Sequence, residues 1–596
     1  MLEKHYRDNI DLEDGVLRKL HRSSKILLWA KLFSFGFAGY FFYQYVFQNM
    51  NSIWGITSLL FLGLYLLVMY IDGRLQKFID LHENIKTTLN NELSYLDKDY
   101  SVFEDGEEFI HSDHPYSYDL DLFGPDSFFN RINRTVTKLG KEKLANSLLD
   151  LDLDTSRIQL KQSAIQELGK LFNWRTLFLS FGIDSKYDLE KLASSLHGES
   201  KRSFFSSVAF RIALLSSSLI TISCIIASIY GVISSSIAGS LFLLQLLVAI
   251  LLSGKVSGAA YEVSGLLKGF KSYRELINHV MDGKFENQLL VDLKSKLEVD
   301  KNTDIKKAFR ELASILNRFD QRGNLLTFVL LNGLFISDLW ILSDYLSWKR
   351  KNAVNMPVWV DVLGEFDMLV SLGTYAYNHK ENVIPELLDN HQAVFEARGL
   401  YHPFISKDVV VANDFSLYKN TFAIVTGANM AGKSTFLRAV GVNFIMALNG
   451  LPVCADSFQI TPMRLFSSMR TSDNLVKNIS YFNAELIRLE ELIYYCKKNE
   501  HTLIILDEIL KGTNSIDKLN GSKLLLQEIS KLPVSGVIAT HDLELTKLGE
   551  NSDKFENYCF EIELSENIKY TYKMGKGVAQ NLNATYLLKK IIDKIS

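Results

Sequence analysis

Two stretches of this chain hold no charged residue, Leu32 to Ile71 and Ile212 to Gly254. Each is about twice the roughly 20 apolar residues that carry a helix across hydrocarbon. Each is therefore expected to form a helical hairpin, turning at the polar breaks "QNMNS" and "GVISSS". In lipid no water satisfies the backbone, so helices are the form such segments take. Four spans result. Arg18, Lys19, Arg22 and Lys25 precede the first run, Arg74 and Lys77 follow it, Lys201, Arg202 and Arg211 precede the second, and Lys255 follows that. Neither turn carries a basic residue, which places both termini and the C-terminal domain on the cytoplasmic side of a multi-pass membrane protein. A charged segment before the first run argues against a cleaved signal peptide. Lys31 is expected to snorkel toward headgroups, and Gln245 to hydrogen-bond across its helix pair. A third apolar stretch, "LLTFVLLNGLFISDLWILSDYLSW", carries Asp338 and Asp344. Burying them in hydrocarbon would cost several kcal/mol, so this stretch is expected to be a soluble core helix.

The rest of the chain divides by texture. At 596 residues it exceeds what one core supports. The expected units are 1–77 (N-terminus and first hairpin), 78–205 (helical), 206–256 (second hairpin), 257–395 (helical) and 396–596 (α/β). With 65 basic and 68 acidic residues the net charge is -3, which excludes a global polycation; a DNA-binding surface would have to be local. Cys224, Cys454, Cys496 and Cys559 are scattered without a CxxC pair, so neither a disulfide framework nor a zinc site is indicated. From about residue 400 short apolar runs, "FAIVTG", "TLIILDE" and "VSGVIATHD", read as buried parallel strands alternating with helices.

The first of these strands runs into Gly427-Ala428-Asn429-Met430-Ala431-Gly432-Lys433-Ser434, which fits GxxxxGK[ST], with a helix expected from about Thr435. Glycines let backbone N–H groups face a phosphate at a helix N-terminus, where the helix dipole adds positive potential. Lys433 is then placed to reach the β- and γ-phosphates of ATP, and Ser434 to ligate Mg2+. Strand "LIILDE" ends in Asp507, suited to the magnesium shell, and Glu508, suited to orient or deprotonate the attacking water. His541 in "IATHD" ends the next strand, within range of a γ-phosphate or that water. The fold class expected is an α/β P-loop NTPase domain following a long all-α core and lever region, with two transmembrane helical hairpins.

These residues resemble the MutS family of mismatch-repair ATPases. "TGANMAGKSTFLRAV" resembles that family's TGPNMGGKST loop, "SDNLVKNISYFNAEL" its STFxxEM segment, "LDEILKGTNSIDKLNG" its DEIGRGTSTxDG segment and "ATHDLEL" its ATHYxEL segment. Upstream, "SFFNRINRTVTKLGKEKLANSLL" is similar to a core segment of the family and "LGEFDMLVSLGTYA" to its lever. The resemblance implies a MutS/ABC-type dimer with composite ATP sites, in which Ser480 reaches the neighbour's γ-phosphate. It implies that Asn429, Gly432, Lys433 and Ser434 hold phosphates and magnesium, and that Asp517 lies at the dimer seam. Lys511 stands where the family pattern has arginine, and Val410 where an aromatic stacks on adenine, with Phe404 a candidate substitute.

Departures from the pattern bear on function. The N-terminal domain that carries the family's Phe-x-Glu mismatch wedge is replaced by the first hairpin, and Phe103 in "VFEDGEE" is a poor stand-in. The second hairpin occupies the position of the family's DNA clamp. The expected activity is a membrane-anchored, Mg-dependent ATPase working as a homodimer, coupled to DNA as in mismatch repair. The alternative is an ATP-driven transport or remodelling machine that binds no DNA; no LSGGQ signature supports it.

Overall fold

The structure is a computed structural model and describes residues 1–49, 51–183, 203–264, 270–298, 304–322, 325–389, 393–470, 481–564 and 568–579. The first charge-free run forms parts of two long helices, α1 (Leu2–Gln44) and α2 (Ser52–Leu96), of 43 and 45 residues. At 1.5 Å per residue each is about 65 Å long, twice a hydrocarbon core. A π-turn, Tyr45–Asn49, follows α1, and the Asn51 side chain caps α2 by accepting from the Ile53 N–H. In the apolar halves Ser34, Ala38 and Ser58 are buried between the helices, and Ser58 Oγ donates to the Ala38 carbonyl at 2.9 Å. Small side chains allow this close approach. The Lys31 ammonium donates to Asp72 Oδ2 at 2.7 Å, closing the charged end of the hairpin.

The polar halves of α1 and α2 continue as a stalk onto a helical core that includes α3 (Phe128–Ile132), α4 (Lys138–Leu149), α5 (Thr155–Lys170) and α6 (Phe172–Gly182). Thr137 caps α4 and Asp154 caps α5 through their side chains, the usual stop for orphan N–H groups at helix starts. The second charge-free run forms α7 (Val208–Ile229) and α8 (Ser235–Leu251). Gln245 Nε2 donates across this pair to Ser217 O and Oγ at 2.9 Å and to Thr221 Oγ1 at 2.7 Å, as expected. The chain then bends by 47° into α9 (Ser253–Ser264). Helices α10 (Phe270–Asp282), α11 (Gln288–Leu297) and α12 (Ile305–Gln321) return to the core.

The third apolar stretch is not a single soluble core helix. It breaks at Ile336, whose φ is 50°, into α13 (Leu325–Phe335) and α14 (Ser337–Asn352), bent by 82°. Helix α13 packs on α7 and α8, and Leu325 and Leu326 remain about three-quarters exposed, at 75% and 74%. A Cβ on Gly333 would lie 2.2 Å from the Phe242 ring, so glycine is what allows this contact. Only α14 joins the core, because its aspartates find partners there. Asp338 takes the guanidinium of Arg322 at 2.7 Å, and Asp344 bridges Arg211 and Arg318 at 2.9 and 2.8 Å. The charge-free half sides with the hairpin. Among the described residues, three helices are long and apolar enough to cross a membrane, or up to five if each bent pair is one span.

Helix α15 (Met356–Asn378) is buried along most of its length and packs on α4, α5 and α11. Asp367 at its middle accepts the Thr137 N–H at 2.7 Å and the Thr137 hydroxyl at 2.6 Å, with the Val136 N–H at 3.1 Å. Complete burial nevertheless pushes its carboxyl up to about 7, since desolvation disfavours the charged form.

The chain then enters the α/β region. Strands β1 (Glu386–Leu387), β2 (Ala393–Leu400), β3 (Asn413–Tyr418) and β5 (Ser457–Ile460) form one sheet in the order β1-β5-β2-β3, which draws in residues upstream of 396. Strands β4 (Phe422–Gly427), β6 (Arg464–Ser468), β7 (Thr502–Asp507), β8 (Val534–Thr540), β9 (Phe555–Leu564) and β10 (Ile568–Lys576) form the other, ordered β10-β9-β4-β8-β7-β6. All its pairings are parallel except β9 with β10. Helices α16 (Lys433–Leu448), α17 (Tyr481–Lys498), α18 (Ser515–Ile529) and the short α19 (Leu548–Asn551) accompany it. β4, β7 and β8 are buried on both faces, which is why their sequence is continuously apolar instead of alternating.

Candidate nucleotide site

Parallel strands β4, β7 and β8 are neighbours and end at one edge of the sheet, so the residues that follow them converge. Ligands of such sheets bind outside the carboxyl ends of the strands. Gly427, with φ 151°, ends β4 where an added Cβ would lie 2.8 Å from the Phe560 carbonyl; Gly432, with φ 108°, caps α16. The helix starts at Lys433, two residues before the expected Thr435. Ala428 and Ala431 are buried, while Asn429, Met430, Ser434 and Thr435 face outward. Helix α16 is locked behind the loop: Asn443 Nδ2 donates to the Tyr401 carbonyl at 3.0 Å, and Tyr401 Oη donates to Asn382 Oδ1 at 3.1 Å.

Lys433 Nζ donates to the carbonyls of Gly427 and Ala428 at 2.9 and 3.0 Å. Burial lowers its pKa, opposed by Glu508 and Asp507. His541 stands between the two charges. Its Nδ1 is 3.1 Å from the Gly427 carbonyl and 3.4 Å from Lys433 Nζ, and its Nε2 is paired with Glu508 Oε1. That hydrogen bond, with Lys511 and Lys518 adding positive charge, holds the Glu508 carboxyl down to about 2. Glu508 itself has φ 56°, a left-handed conformation that a non-glycine residue adopts at a cost of about 1–3 kcal/mol and that clusters at functional sites.

A cavity of about 520 Å³ opens beside these groups and is lined by Asn429, Lys433, Ser434, Glu508 and His541. Val410, His402 and Tyr572 also line it. Phe404 does not take the stacking place: its ring lies under the Arg131 guanidinium at 4.3 Å and edge-on to His402. Tyr572, which spacing gave no reason to single out, lies against the phosphate loop, 3.3 Å from where a Gly432 Cβ would be. A bulge in β10 presents it, held by Asn413, which donates to the Tyr572 carbonyl at 3.0 Å and accepts from the Met574 N–H at 2.8 Å. Only the pairing partner of β10 reveals that bulge.

Asp507 lies at the end of β7 as read from sequence, partly exposed. Asp517 is exposed in the first turn of α18, where it bonds the capping Asn514. Ser480 lies outside the described residues. Phe103 is not a free wedge, because the Arg134 guanidinium packs on its ring at 3.9 Å.

Residues 423–588 match the family model described as MutS domain V. The DNA mismatch repair protein MutS of Acetivibrio thermocellus is 32% identical over 228 residues, covering 37% of this chain and 26% of that protein. The protein of the same name from Aquifex pyrophilus is 33% identical over 226 residues, covering 37% and 26%. Residues 423–588 are thus similar to domain V of the MutS family. Human MutS protein homolog 4 is similar over the same region, 29% identical over 236 residues, covering 37% of this chain and 24% of that protein. The chain thus spans about a quarter of the length of the curated MutS relatives it matches, and the match lies on the domain that carries the loop, Asp507, Glu508 and His541.

Proposed function

We propose that this chain is a membrane-anchored MutS-type ATPase that binds ATP with Mg2+ at sites completed by a second copy and couples the cycle to DNA. The observation that carries the proposal is the meeting, in one cavity, of Lys433 on a helix N-terminus with the Glu508–His541 pair. The donor set fits a magnesium triphosphate. Backbone N–H groups of the loop and the Lys433 ammonium would hold phosphate oxygens, and Ser434 and Asp507 would hold the ion, which supplies charge neutralisation along the phosphates. Lys433 gives up two loop carbonyls to do so. Glu508 orients the attacking water and takes its proton, and His541 restrains the carboxylate until then. Tyr572 stacks on the base.

Met430 on the loop that lines the cavity stands 80% exposed, an apolar side chain suited to contact a second copy that would bring in Ser480. Membrane anchorage is supported by the exposed apolar faces of α1, α2, α7 and α8, and by Trp29 and Tyr70 at one end and Tyr43 and Tyr45 at the other end of the first hairpin. Such aromatic residues favour the two interfaces of a bilayer. Coupling to DNA rests on the names of the relatives.

Turnover of the detergent-solubilised protein, measured with duplex, mismatched and junction DNA against a no-DNA control, tests the proposal. Lys433→Ala abolishes nucleotide binding or turnover; Glu508→Gln binds ATP but lowers kcat by about 10²–10⁴ and accumulates dimer. Undiminished turnover in Glu508→Gln removes that residue from its role, and turnover indifferent to every DNA removes the DNA coupling. Membranes washed with alkaline carbonate retain the chain; release into the supernatant ends the anchorage.

A further inference from the structure

The loop that carries Glu508 is held in an unfavourable shape by a residue from a different helix. Both Glu508 and Leu510 have left-handed backbones, with φ 56° and 58°, and such conformations persist only where surroundings over-determine them. One restraint is the Glu508 N–H, which donates to the Ala539 carbonyl at 2.9 Å. Another is Leu510, whose side chain lies where Gly521 has no Cβ; an added Cβ would be 2.4 Å from it. The third comes from Glu485 on α17. Among the described residues its carboxylate is paired with no cation: Oε1 accepts the Lys511 N–H at 2.9 Å and Oε2 the Gly512 N–H at 3.3 Å, and the side chain is buried, with the residue 5% exposed. A buried acid whose two oxygens both serve a neighbouring backbone is a template for that backbone.

The template stands on a firm base. One turn along α17, Arg488 donates to the carbonyls of His114, Pro115 and Ser467 at 3.0, 2.9 and 2.9 Å, and its guanidinium covers the Phe466 ring at 4.4 Å. Leu489 and Leu492 are buried beneath. Resting on the ATPase reading above, we infer that Glu485 is a positioning residue for hydrolysis: it clamps residues 511 and 512 so that Glu508 is aimed into the site, without itself touching nucleotide. The two oxygens of Glu485 are taken up by the Lys511 and Gly512 N–H groups, whereas Lys433 is held by carbonyls of its own loop after β4. Binding and turnover therefore separate.

The test is ATP turnover and binding of a fluorescent non-hydrolysable ATP analogue by the full chain in detergent, for the parent, Glu485→Ala and Glu485→Gln. Glu485→Ala lowers kcat by about 100-fold and Glu485→Gln, which keeps one acceptor, by about 10-fold, within the range positioned acid-base groups contribute. Analogue affinity changes less than about 2-fold, against the 10-fold that each 1.4 kcal/mol would bring. Unchanged kcat overturns the inference, as does a fall in kcat matched by an equal loss of affinity. Should Glu485→Ala not fold, Glu485→Gln decides by the same readings. A parent protein without ATPase activity defeats the ATPase reading itself, a result distinct from any of these.

Discussion

The stalk of the first hairpin is tied to the end of α15 by a buried polar knot whose worth follows from its geometry. Glu92 on α2 accepts from Arg134 Nε at 2.8 Å and from Asn378 Nδ2 at 2.6 Å, and Tyr6 on α1 donates to Asn378 Oδ1 at 2.7 Å. Tyr6, Glu92, Arg134 and Asn378 are 2%, 3%, 4% and 6% exposed, so water cannot replace a lost partner. Glu92→Leu leaves the Arg134 cation buried and uncompensated, which costs about 3–5 kcal/mol. It also strands an Asn378 donor, for about 1 kcal/mol more. Adding Arg134→Met removes the stranded charge, and an ion pair replaced by apolar groups of similar volume is often near neutral. The double variant therefore recovers about 3 kcal/mol relative to the single one. Amide hydrogen exchange of residues 80–96, in detergent, reads the opening free energy of this part of α2 locally, without requiring the hairpin to unfold. A single variant that lowers that free energy by under about 1 kcal/mol, or a double variant that is worse than the single, refutes the assignment of the knot as the fastening of the stalk.

Asp367 supplies a pH signature. Its folded pKa of about 7 lies above the unfolded value of about 3.9, so its contribution is fully present below pH ~4 and is lost as pH rises through 7. The melting temperature of Asp367→Asn minus that of the parent should increase from pH 5 to pH 8; a constant difference shows that burial does not hold the proton. Gly140→Ala places a Cβ 2.2 Å from Asp367 Oδ2 and is expected to destabilise by about 1–3 kcal/mol, seen as a lowered urea midpoint; an unchanged midpoint shows that α4 can shift. Tyr572→Ala should raise the KM for ATP about 10-fold with little change in kcat, since a base–aromatic stack contributes about 1–3 kcal/mol. An unaltered KM moves the base elsewhere.

The site was legible where chemistry and spacing coincide. Gly427 to Ser434, Asp507, Glu508 and His541 each follow an apolar run that can only be a buried strand, and parallel order brings strand ends to one edge. The hydrophobic pattern also located both hairpins and the Gln245 cross-link. It failed on "LLTFVLLNGLFISDLWILSDYLSW", where hydropathy is continuous but the partners differ on either side of Ile336. It was silent on Glu485 and Tyr572, since a backbone-clamping acid and a bulge-presented ring leave no periodic trace.

Local composition alone therefore determined which segments are long charge-free helices, which are buried strands, and which glycine-rich loop joins a strand to a helix, because burial and backbone satisfaction act residue by residue. Tertiary structure decided what those segments do to one another. Lys31 meets Asp72, Asp344 meets two arginines, Glu485 meets the Glu508 loop and Glu92 meets Arg134. Each is a contact between residues separated along the chain, and a buried charge is settled by whichever partner packing delivers.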